Sequence, residues 1–239
     1  MSKKKPLAFI SLAGVIMITA AVIFTSCATN PYSSSISSHT KRVQPTVTPI
    51  GGLSPYGGKL VMNDSLSDNA LGLHWDENTS ITGSCRFSNG SYLASENTSE
   101  KIRPCVALNT DFSDLAFEVK MTILDGNYGG IYIRRDSIAH TGYEFVVDSY
   151  GFYILAVRTS LNQVQTLQEG PAASFHKGYN QSNVLAAVAR GSTIDLYVNQ
   201  QHLVTVQDTR FTHGAIGVMA QDHDTPTQVS YNDAAVWQF

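Results

Sequence analysis

Clustered positive charge is missing from almost the whole chain. Charged residues make up 15% of the 239 residues, and the formal net charge is −3. Three of the lysines are Lys3, Lys4 and Lys5, so the part beyond residue 27 carries −6. Phosphate contacts need grouped Lys and Arg, so an acidic body without a basic stripe excludes nucleic acid as a partner. Cysteine is scarce as well, at three residues, with no CxxC and no neighbouring His pair, which leaves no metal-ligand spacing. Nothing in the sequence calls for a cofactor. His74, His140, His176, His202, His213 and His223 are scattered, and only Asp222-His223-Asp224 is dense, in an expected loop. No internal repeat shows at a solenoid or propeller period. Beyond the N-terminus no stretch has a convincing helical period.

What is present begins with an address. Lys3-Lys4-Lys5 precede an uncharged run, LAFISLAGVIMITAAVIF, that ends near Cys27. Its length suits a long signal-peptide core or a short membrane helix, and the lysines keep their end in the cytoplasm. Phe24-Thr25-Ser26-Cys27 resembles a bacterial lipobox. That resemblance implies cleavage and lipid on Cys27, while an uncleaved single-pass anchor and a released signal are the alternatives. All three place the rest of the chain on the extracytoplasmic face of a bacterial membrane, tethered to it in the first two. With Cys27 given to lipid, Cys85 and Cys105 are left as a pair, and an oxidising compartment permits them to bond. They are expected to staple a hairpin.

Residues 28–58 are rich in Ser, Thr, Pro and Gly without apolar periodicity. They read as a disordered spacer. From residue 59 to 239 the period becomes two. Leu115, Phe117, Val119, Met121 and Ile123 share one face, and Glu118, Lys120 and Thr122 the other. The alternation returns in 130–134, 143–148, 152–157, 184–189, 193–199, 203–207 and 215–220, with Gly, Asn and Asp at the joins. Short strands at this spacing predict an all-β, two-sheet antiparallel sandwich.

Three segments then stand out: Gly129–Arg134, Gly142–Phe145 with Asp148, and Gly151–Tyr153. With Gly191–Asn199 and Gly214–Val218 they resemble concanavalin A-like jelly rolls, in particular the 3-keto-disaccharide hydrolase-like group. The stretch 60–239 is also similar to extracytoplasmic domains of some bacterial membrane Ser/Thr kinases. The resemblance implies a jelly-roll domain over residues 59–239 and a carbohydrate ligand, with lectins, glycosidases and adhesion modules all sharing the architecture. Family 16 glucanases place their two carboxylates in an E-x-D-x-x-E-like run, and no such run exists here. Glu144 and Asp148 share a face but lie about 13 Å apart along a strand, too far for a glycosidase pair.

Alternation turns Ile131 and Ile133 inward and Tyr132 and Arg134 outward. It turns Glu144 outward between Tyr143 and Phe145. Tyr132, Arg134, Glu144, Asp148 and Tyr153 are therefore the candidate sugar-binding residues, with no catalytic residue assigned. The expected function is a surface-anchored module that binds or senses glycan. A glycoside hydrolase or 3-keto-glycoside hydrolase of the same fold, and a structural envelope protein, are the alternatives.

Overall fold

A computed structural model describes residues 55–239; Cys27, the apolar run and residues 28–54 lie outside the described residues. The described chain is fifteen β-strands without a helix. The first seven are β1 (Lys59–Asp64), β2 (Asn78–Ser80), β3 (Gly83–Ser88), β4 (Ser91–Glu96), β5 (Lys101–Val106), β6 (Leu115–Asp125) and β7 (Tyr128–Asp136). The others are β8 (Thr141–Asp148), β9 (Phe152–Ser160), β10 (Gln163–Pro171), β11 (Ser182–Arg190), β12 (Thr193–Val198), β13 (Gln201–Gln207), β14 (Ala215–Asp222) and β15 (Thr227–Gln238).

Two antiparallel sheets result. A six-stranded sheet runs β10-β9-β8-β7-β14-β5. A nine-stranded one runs β13-β12-β11-β6-β15-β4-β3-β2, with β1 also on β15. The inward sets are those the alternation picked out. Phe117, Val119, Met121 and Ile123 from β6 meet Ile131 and Ile133 from β7 and Tyr143, Phe145 and Val147 from β8, all buried in one core. Burying each such side chain contributes roughly 1.5–3 kcal/mol.

One polar tie crosses this core. The Tyr231 hydroxyl on β15 donates to Met219 O at 2.5 Å and accepts from Gly130 N at 2.9 Å, reaching into the backbone of the opposite sheet. Gly129 leaves room for it. A Cβ there would sit 2.5 Å from Met121 Sδ and 3.2 Å from the Tyr231 hydroxyl.

Cys85 and Cys105 are bonded, with Cα atoms 5.6 Å apart. The staple differs from the hairpin expected. Cys85 lies on β3 of the nine-stranded sheet and Cys105 on β5 of the six-stranded one, so the bond joins the two layers. The hairpin itself is β3 with β4, where Cys85 pairs with Ala94 through backbone bonds.

Packed chain also begins earlier than the spacer reading to residue 58 allowed. The Tyr56 hydroxyl donates to Glu118 Oε2 at 2.7 Å. Its ring stands 4.8 Å from that of Tyr197 and 6.3 Å from that of Trp237. The outer face of the nine-stranded sheet presents Trp237, Val188 and Leu60, and an aromatic residue just before β1 covers that apolar patch. Burial there pushes the Glu118 carboxyl up, against the hydrogen bond from Tyr56.

Candidate functional site

The outer face of the six-stranded sheet is assembled from residues of all six strands. Tyr132 on β7 pairs with Glu144 on β8, and Glu144 pairs with Ala156 on β9. On the other side Tyr132 pairs with Gly217 on β14. Val146 and Ile154 form the next row with Gly130 and Met219. Tyr132, Glu144, Val146, Ile154 and Ala156 floor an open cleft of about 760 Å³, with Lys101, Gln221 and His140 among its other lining residues.

Charge on the floor is arranged around one carboxylate. Glu144 is 3% exposed. Arg158, two residues beyond the Glu144 partner on β9, donates from Nε to Glu144 Oε1 at 2.5 Å and from Nη2 to Oε2 at 3.3 Å. Its Nη1 holds Leu161 O at 2.9 Å. This is the diagonal cross-strand reach available to a long side chain. Both oxygens of Glu144 are thus occupied by one guanidinium, in the two-point geometry that Arg and carboxylate favour.

Tyr132 lies against this pair and is 1% exposed. Burial, with the Glu144 carboxylate beside it, pushes its hydroxyl well above the ordinary tyrosine range. Above the ring lies the Arg135 guanidinium, 4.3 Å from the centroid. That stacking is a cation–π contact on a desolvated face. Tyr132 is therefore on the expected face but serves as the seat of Arg135, and its ring is not an open platform for a sugar.

Arg134 is where the expectation fails. The β7–β8 register shifts between Ile133 and Asp136, and Arg134 has φ of 51°, in the left-handed region. One residue extra in β7 moves its neighbours' faces by one, the consequence of a β-bulge. Arg134 turns away from Glu144 and is 1% exposed. Its Nε donates to Ser113 O at 2.9 Å, and Nη1 to Gly191 O at 2.9 Å and Phe211 O at 3.0 Å. Nη2 reaches Asp114 Oδ1 at 3.2 Å. Arg135 takes the outward place that alternation assigned to Arg134.

Tyr153 is also placed otherwise. It points inward with Leu155 and Val157, its ring 6.3 Å from that of Phe145. Strict alternation on β9 decides this, since Ile154, Ala156 and Arg158 hold the outer face. Asp148 does share the outer face, two rows from Glu144, paired with Tyr128. Its Oδ1 accepts from Tyr150 N at 2.9 Å and Phe152 N at 2.8 Å, which closes the β8–β9 turn. The structure brings Tyr132 and Glu144 together, then, and separates Arg134, Asp148 and Tyr153 from them. Arg158 and Arg135 are the residues that sequence reasoning missed. Arg158 was within reach: continuing the β9 alternation one residue past Val157 places it opposite the core. Arg135 needed the bulge, whose traces in the sequence are Gly142 and Gly214, which lie against the Arg134 and Arg135 backbone with φ of 139° and 148°.

No family model matches this chain, and no curated protein matches it in sequence. Solved structures do match in shape. A Bacillus subtilis protein of unknown function with a galectin-like fold is similar at a TM-score of 0.57 and 13% identity, over 76% of this chain and 96% of that one. The carbohydrate-binding module CBM66 from Bacillus subtilis is similar at a TM-score of 0.50 and 18% identity, over 70% of this chain and 93% of that one. A Bacillus licheniformis β-glucanase is similar at a TM-score of 0.53 and 11% identity, over 74% of this chain and 98% of that one. The fold is a concanavalin A-like jelly roll. Identities this low establish architecture and leave activity to be argued from the cleft.

Proposed function

We propose that this chain is a surface-displayed module that binds glycan in the cleft on its six-stranded sheet and does not cleave it. One observation carries the reading. Among the described residues the only carboxylate on the cleft floor, Glu144, has both oxygens held by Arg158. A glycosidase needs a second carboxylate about 5–9.5 Å away. The other acid lining the cleft is Glu100. It precedes β5, three strands from β8, and by register lies level with a residue beyond Asp222 rather than with Gly217. Three strand spacings of about 4.8 Å alone put its backbone roughly 14 Å off, before the displacement along the strands is added. An open trough with an apolar floor of Val146, Ile154 and Ala156 and a polar rim suits a sugar chain, whose ring faces are apolar and whose edges carry hydroxyls.

Display outside the cell is part of the proposal. The lysines and apolar run of the first 27 residues support it, held by lipid on Cys27 or as an uncleaved helix. The Cys85–Cys105 bond accords with an oxidising compartment.

The test pairs binding with turnover. Full-length protein is probed on a glycan array, and each hit is incubated with the protein and followed by mass spectrometry. Binding without product is expected, and Glu144→Gln, which releases Arg158, should weaken it roughly tenfold. Product release that disappears in Glu144→Gln would replace this reading with a hydrolase. Absence of any glycan hit would remove it.

A further inference from the structure

Five arginines are packed into or against this part of the molecule, and four of them hold an acid. Arg158 holds Glu144, and Arg134 reaches Asp114. Arg103 holds Glu96, and Arg210 holds Asp208. Arg135 is the exception. It is 5% exposed, yet its Nε and Nη1 have no hydrogen-bond partner among the described residues. A buried guanidinium is ordinarily paired, because an unmatched buried charge is costly. Arg135 instead rests on the Tyr132 ring and lines the cleft with two buried donors unpaired. Glu144, beside Tyr132 on the same floor, is already saturated by Arg158. The adjacent Asp136, though it feels the Arg135 charge, turns its Oδ1 to Ile138 N and Ala139 N.

The charge of the cleft points the same way. With Glu144 and Arg158 cancelling, Arg135 and Lys101 face Glu100 alone among its remaining Lys, Arg, Asp and Glu lining. A locally cationic trough stands in a domain whose overall balance is strongly acidic. That polarity favours a negative group arriving from outside.

We propose that the glycan taken by this cleft is acidic, and that Arg135 receives its anionic group, a uronate carboxylate or a sulfate ester. The inference rests on the glycan-binding reading above and adds the class of glycan to it. The ligand's anion completes the pairing that the chain leaves open. The sugar ring beside it lies along the Val146–Ile154–Ala156 floor, and Lys101 offers a second positive contact at the rim. Specificity arises from the same imbalance: a neutral sugar entering the cleft leaves the Arg135 charge unmatched.

Full-length protein would be titrated by calorimetry with three probes of matched length: an oligogalacturonate, a heparin hexasaccharide and a neutral β-glucan hexasaccharide. At least one acidic probe should bind tenfold or more tightly than the neutral one, and its affinity should fall as salt is raised. The oligogalacturonate and heparin arms tell carboxylate from sulfate. Arg135→Gln should erase the preference for the acidic probe. Should that variant fail to fold, Arg135→Lys keeps the charge without the Nε donor and should keep the salt dependence while losing several-fold in affinity. Equal or tighter binding of the neutral probe, or an Arg135→Gln affinity for the acidic probe within twofold of wild type, overturns the inference and leaves glycan binding standing. Failure of all three probes, with no glycan hit on the array, removes both.

Discussion

Replacing Arg134 by alanine tests the division of labour between two consecutive arginines. Arg134 ties three backbone segments to one guanidinium: the Ser113–Asp114 entry to β6, the β11–β12 turn at Gly191, and Phe211 before β14. Removing it strands three carbonyls. Hydrogen bonds to charged groups are worth about 1.5–3 kcal/mol each when the partners stay dry. Water entering the space vacated would satisfy part of this demand, so about 1 kcal/mol per carbonyl is the fitting scale. The contact with Asp114, whose side chain is 45% exposed, adds little. Alanine keeps the left-handed backbone penalty, so Arg134→Ala should lose about 3 kcal/mol. Arg134→Gly relieves that penalty and should lose about 1–2 kcal/mol less. For a domain of this size about 3 kcal/mol corresponds to a fall of roughly 6–12 °C in Tm. The assay is urea unfolding of each variant alongside the glycan titration. Arg134→Ala should shift the midpoint without changing the m-value, and its folded fraction should keep the wild-type glycan affinity. A shift below about 0.5 kcal/mol, or alanine proving more stable than glycine, would refute the clamp.

Two further outcomes follow from the same contacts. Reducing Cys85–Cys105, or replacing both by alanine, opens a loop with a sequence separation of 20 that joins the two sheets and should cost about 3 kcal/mol in urea unfolding; an unchanged midpoint would show that the layers need no staple. Burial works against ionisation of Asp208, but Arg210 and the Tyr143 hydroxyl, which donates to it at 2.7 Å, outweigh this and hold its carboxyl below the usual range. Tyr143 itself, through burial and then that bond, is pushed up to about 12 and remains a donor. A depressed carboxyl contributes stability that is fully present above its unfolded value of about 3.9 and lost as pH falls through the folded one. Asp208→Asn should therefore be less stable than wild type at neutral pH, with the two curves converging below about pH 4; a constant gap across that range would assign the effect to packing alone.

The layers of this fold were legible because alternation is a statement about burial, and burial decides which face of a strand turns inward. Leu115 to Ile123 on β6 and Tyr143 to Val147 on β8 show it, each inward residue lying in the core. Glu144 was legible by the same reasoning, from the two aromatics that flank it. The pairing of sheets was not. Cys85 and Cys105 lie 20 residues apart, a separation that fits a hairpin as well as a bridge between layers, and only the order of strands in the two sheets distinguishes them.

Arg134 was misjudged at a single register step. A strand has period two, so one extra residue exchanges faces for everything on its far side. Ile131, Tyr132 and Ile133 precede the β7 bulge and keep their assigned faces. Arg134 sits in it and loses its face to Arg135. The two side chains are chemically identical, and their surroundings alone separate their roles. Arg134 meets carbonyls that satisfy it, and Arg135 meets an aromatic ring that holds it without satisfying its donors. A guanidinium completed by its own chain has stability to give, whereas one left incomplete in the lining of an open cleft has affinity to give. The same bulge that turned Arg134 from the cleft thereby brings Arg135 to its lining, where the proposal gives it the ligand's anion.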